Sequence, residues 1–153
     1  MTRLKNWGKL LFTITVLIVL SVLMFMNKTI NVQEIQDKYG ADFHYNAIST
    51  SAIIGGFLFT GISILISALT NERIKRLWDN NYLDNLYRAA LLGMISNIIT
   101  IASAFAVLTL DLPANILQHA IYIEISTIII GVVFFVWCIR FLIFIITRLK
   151  SKV

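Results

Sequence analysis

Glu124 and Asn97 are the residues with the most chemistry to offer, because each stands well inside a long apolar run. An ionisable side chain inside a membrane span is costly and marks a functional site by default. A carboxylate there can hold a proton or a cation, or answer a basic partner. On a helix, Ala120, Glu124, Thr127, Gly131, Phe135 and Cys138 share a face of mostly small residues, so Glu124 is expected to point into a bundle. Asn97 carries an amide that needs a partner in hydrocarbon, so it too should face the bundle or another subunit. Arg140 lies in the same apolar run as Glu124, 16 residues further on. At about 1.5 Å per residue the two are roughly 24 Å apart and cannot pair within one helix. They fit opposite edges of an apolar core about 30 Å thick, with Arg140 snorkelling to the headgroups or holding a lipid phosphate.

The remaining titratable residues form no motif. His44, Asp42, His119 and Asp111 are expected on the same side of the membrane as Glu124. However, His119 and Glu124 are five apart, on different helical faces, and Asp42 and His44 fall in a segment expected to be a loop. No HExxH zinc motif, GxSxG elbow or glycine-rich phosphate loop is present. Gly55-Gly56 lies within an apolar span, where a phosphate would not go. Cys138 is the single cysteine and cannot close an intrachain disulfide. These observations lead to the expectation of a protein that is not an enzyme, with no cofactor, no metal and no nucleic-acid partner.

The elements that position these residues are set by composition. Of 153 residues, 58% are hydrophobic and 14% charged, where a soluble domain carries about a quarter charged residues. The chain therefore reads as an all-α polytopic membrane protein with a single membrane domain over 1–153. Four helices are expected, at about 10–26, 47–70, 89–110 and 116–147, arranged up-down-up-down. The first resembles a signal peptide in its basic start, but Met24, Phe25, Met26 and Asn27 replace the small residues that cleavage needs, so an uncleaved span is expected. Trp7 can anchor it at the headgroups, between Lys9 and Lys28.

Between the first two spans, Asn31 and Glu34 have capping-box spacing, Val32, Ile35 and Tyr39 fall on one face, and Gly40 is placed to stop the helix. A short amphipathic helix over 32–39 is the expectation there. The span 47–70 carries two small-residue stripes. One is Ala47, Ser51, Gly55, Ser63 and Ser67, with Phe59 among them; the other is Ala52, Gly56, Thr60 and Ala68. Small residues let helix backbones approach closely in lipid. Ala89, Gly93, Ser96, Asn97, Thr100, Ser103 and Ala104 trace a similar face on the third span. The 71–88 loop is polar but patterned, with Arg76 and Trp78 as candidates for binding a cytoplasmic protein. Pro113 fits the first turn of the fourth helix, which makes the third and fourth a close hairpin.

Orientation follows from charge. Eleven of the thirteen Lys and Arg residues fall in the N-terminal tail, the 71–88 loop and the C-terminal end; Lys28 and Lys38 are the exceptions. Cytoplasmic segments carry this excess, so both termini are expected inside, in the cell's inner membrane. Two functions compete on this evidence. The first is a membrane subunit that self-associates or joins a complex, such as an immunity or phage-defence component. The second is an oligomeric channel, transporter or holin-like pore for ions or small solutes. Candidate functional or packing residues are Glu124, Asn97, Arg140, Gly55, Gly56 and Gly93.

Overall fold

A computed structural model describes residues 32–70, 72, 74, 75 and 82–150. The expected first span, 10–26, lies outside the described residues, as do Arg76 and Trp78. The described chain is all-helical: α1 (Val32–Ser67), a 3₁₀ turn (Ala68–Thr70), α2 (Tyr82–Thr109) and α3 (Ala114–Lys150). All three α-helices are long and apolar enough to cross a membrane.

α1 is two helices joined through a break. Gly40 adopts φ 47° and ψ −130°, a conformation that side-chain-bearing residues rarely reach. The amphipathic segment ends there, where the sequence places a stop. The helix resumes at once, so 41–46 is helical rather than a lead-in loop, and this brings His44 onto a regular helix. α2 likewise starts at Tyr82 rather than 89, so most of 82–88 is the first two turns of the span, with Leu83 and Leu86 buried. Pro113 immediately precedes α3, and its carbonyl accepts the backbone N–H groups of Ile116 and Leu117 at 2.9 and 3.0 Å. That carbonyl opens the helix, and Pro lacks only a donor that no helix start would use.

The helices meet along narrow seams. α1 contributes His44, Ala47, Ser51, Leu58 and Ile62, at spacings of three, four and seven residues. α2 contributes Leu83, Leu86, Ala90, Ser96, Asn97, Thr100 and Ala104, and α3 contributes Ile121, Glu124, Phe134 and Cys138. Ser96 donates to the carbonyl of Thr127 at 2.7 Å, and Ser103 to that of Ala120 at 3.2 Å. The partners lie seven residues apart on both helices and run in opposite directions, so α2 and α3 are antiparallel in one register. Outside the seams the surface is apolar, with Ile53, Phe57, Phe59, Ile64, Ile98, Phe105 and Ile143 all well exposed. Exposed hydroxyls on these faces bond to their own helix. Ser63 donates to the carbonyl of Phe59, Ser67 to that of Ser63 and Thr109 to that of Phe105, at 2.8–3.0 Å. Such back-bonding satisfies these three donors toward hydrocarbon.

The interior is divided along its length. Leu58, Ile62, Leu83, Leu86, Ala89, Ala90, Phe134 and Cys138 form an apolar cluster at one end. Ile121 and Tyr122 form a second, with Phe43, Leu117 and Ile125 against them. The buried polar side chains of the three helices sit in the half that holds this second cluster.

Candidate functional site

The centre of the polar half is a side-chain pair between α1 and α3. His44 Nδ1 lies 2.9 Å from Oε2 and 3.1 Å from Oε1 of Glu124. Both residues are essentially inaccessible, at 1% and 0% exposure. Glu124 is thus enclosed by the helix packing and answered by an imidazole. Phe43 turns an edge to the His44 ring at 5.3 Å and 81°. The pair is therefore held in apolar surroundings, which strengthens its internal attraction and penalises either group left alone.

Next along the axis is a layer of hydroxyls. Thr100 Oγ1 and Thr127 Oγ1 are 2.7 Å apart. Thr127 also lies 2.7 Å from the carbonyl of Ile123, to which it can give its one hydrogen. Thr100 has the matching choice of the Ser96 carbonyl, at 3.2 Å, so either hydroxyl can donate in the Thr–Thr contact. Ser51 is buried on the same side of α1, two turns on from His44.

Asn97 comes next and packs against all three helices. Its Nδ2 donates to the carbonyl of Gly93 at 2.7 Å. A Cβ at Gly131 would stand 2.8–3.1 Å from the Asn97 amide, and one at Gly55 would stand 3.7 Å from Asn97 Cβ. The amide fits because Gly131 presents bare backbone there. Gly93 is equally enclosed: a Cβ would meet Leu58 Cδ1 at 2.7 Å and Phe134 Cβ at 3.2 Å.

The chain matches no family model, no curated protein and no solved structure. The site is therefore read from its own geometry.

The sequence candidates thus divide into separate groups. Glu124, Asn97 and Gly93 are buried in the seam, Gly55 is half-buried beside Asn97, and Gly56 and Arg140 are exposed. Of the outer-face residues, His44 and Glu124 come together, whereas Asp42, Asp111 and His119 are exposed. His119 bonds back to the carbonyl of Asn115. Among the described residues, no three His, Cys, Asp or Glu side chains gather as a metal would require. The stripes on α1 also separate. Ala47 and Ser51 are buried, but Phe59, Ser63 and Ser67 face outward, as do Ala52, Gly56 and Thr60.

His44 and Gly131 are the residues that sequence reasoning undervalued. A signal for His44 was present: it lies three residues before Ala47, on the same helical face as Ala47, Ser51 and Gly55. Three buried polar atoms in this half have no hydrogen-bond partner among the described residues: His44 Nε2, Ser51 Oγ and Asn97 Oδ1.

Proposed function

We propose that this chain is a non-enzymatic integral membrane protein that works by association, with copies of itself or as the membrane subunit of a complex. In this reading it crosses the inner membrane four times, with 10–26 as the additional span and both termini cytoplasmic. The observation that carries it is the outward face of α1. Ala52, Gly56 and Thr60 are exposed in a row, and no atom of the described residues lies within 4 Å of where a Gly56 Cβ would stand. α2 and α3 leave this face open, and its small residues suit a close-packed helix in lipid. The contact between Cys138 and the Leu86 carbonyl supports the orientation, because it brings Arg88 and Arg140 to one end of the unit. Basic side chains from two helices then share the end assigned to the cytoplasm.

The test is the mass of the full chain in nanodiscs by native mass spectrometry, compared with Gly56→Leu. A defined oligomer that falls to monomer in the variant, with helicity unchanged, is the expected result. A wild-type monomer that captures no partner contradicts the reading. A cytoplasmic partner at 71–88 remains part of the proposal, and its co-purification should be lost in Arg76→Glu or Trp78→Ala.

The second reading, an oligomeric channel or transporter for ions or small solutes, is favoured by one feature. This is the run of buried polar groups from His44 and Glu124 through Thr100 and Thr127 to Asn97. Liposome flux abolished by Asn97→Leu would place the chain in that class.

A further inference from the structure

We propose that the His44–Glu124 pair is a proton-binding site within the membrane-spanning unit, with His44 Nε2 as the atom that takes up and releases the proton. The inference does not depend on whether the chain acts as an assembly subunit or as a conduit.

Both carboxylate oxygens of Glu124 lie against His44 Nδ1, at 2.9 and 3.1 Å. When Glu124 is ionised its oxygens only accept, so Nδ1 carries the hydrogen and the free lone pair of the neutral ring is on Nε2. That nitrogen is buried without a hydrogen-bond partner among the described residues. It is therefore the open valence of the pair. A proton delivered by hydronium adds to the Nε2 lone pair and leaves one water, and no other bond breaks. The pair carries one negative charge before this step and none after it.

Among the described residues, few other charges bear on the site. α2 presents no titratable side chain from 89 to 109, and its Asp84, Tyr87 and Arg88 belong to the opposite end of the unit. On α1, Asp42 and Tyr45 flank His44 in sequence but are exposed, and Glu34, Asp37 and Lys38 lie beyond the break at Gly40. On α3, Tyr122 is buried in the neighbouring apolar cluster and His119 is exposed, while Cys138 and Arg140 are in the other half. Among the described residues, the charge of the pair is thus set by its own proton. A pair kept only to fasten helices has no need of an open nitrogen. The two-group geometry with one vacant lone pair is what a reversible proton acceptor requires.

The experiment uses the full chain in nanodiscs with ¹⁵N-labelled histidine. There are two histidines, so His119→Gln, which alters an exposed position, leaves His44 as the only signal. Nε2 should change from the unprotonated to the protonated ¹⁵N shift as pH is lowered, while Nδ1 stays protonated throughout. The Glu124 carboxyl ¹³C signal should move at the same midpoint, which is a readout on the otherwise native pair. Glu124→Gln should displace the midpoint by about tenfold or more in proton concentration, since it removes a full charge at hydrogen-bond distance. An Nε2 signal that stays constant over the pH range in which the fold persists overturns the proposal. So does a titration with which the Glu124 carbon does not move.

Discussion

His44→Leu should destabilise the folded unit by about 3–5 kcal/mol, because it leaves the Glu124 carboxyl buried without its partner. Glu124→Leu should cost less, about 1–3 kcal/mol, because it strands a neutral imidazole. The double variant is expected to recover most of either loss, because two leucines in place of a buried ion pair are often neutral or stabilising. A neutral interhelical hydrogen bond in a membrane averages only about 0.6 kcal/mol. The size of the single-variant loss therefore separates a stranded ionisable group from an ordinary missing bond. Reversible unfolding in mixed micelles, followed by circular dichroism, measures all three. Additive losses in the double variant would show that the two residues do not share one interaction.

Gly93→Val should prevent close packing of all three helices, whereas Gly56→Val should leave the monomer fold nearly unchanged. The first Cβ would stand 2.7 Å from Leu58 Cδ1 and 3.2 Å from Phe134 Cβ. The leucine tip can turn aside. The Phe134 Cβ is tied to the backbone, so α3 itself must move. Overpacking of this kind costs roughly 1–3 kcal/mol, and the two further methyl groups place Val at the upper end. At Gly56 no described residue lies within 4 Å, and exposed positions of this type usually change stability by about 0.5 kcal/mol or less. The same unfolding assay compares them. Equal losses at the two sites would mean that α1 presents a different face to α2 than the one described.

The α2 face was almost wholly legible in the sequence. Ala89, Gly93, Ser96, Asn97, Thr100 and Ala104 are buried as their spacing implies, because a seam between helices in lipid selects small and hydrogen-bonding residues. On α1 the same signal was ambiguous. Two stripes of small residues ran side by side, and composition cannot say which one meets α2 and which faces outward. The break at Gly40 was readable, but not that the helix would resume within one residue. A glycine in that conformation redirects a helix without a loop, and His44 was consequently placed in irregular chain. The inward aim of Glu124 followed from its face. Its partner did not, because pairing across 80 residues depends on how α1 and α3 sit together.

The most direct test of the account is a distance between His44 and Glu124 in a lipid bilayer. Solid-state NMR on the full chain, with ¹⁵N in the imidazole and ¹³C in the glutamate carboxyl, reports it. Dilution of the labelled chain with unlabelled chain restricts the signal to one molecule. Strong dipolar coupling between His44 Nδ1 and the Glu124 carboxyl carbon is the predicted result. Absence of that coupling, with the Glu124 carbon instead in contact with water or headgroups, would contradict the buried pair and the helix arrangement built around it.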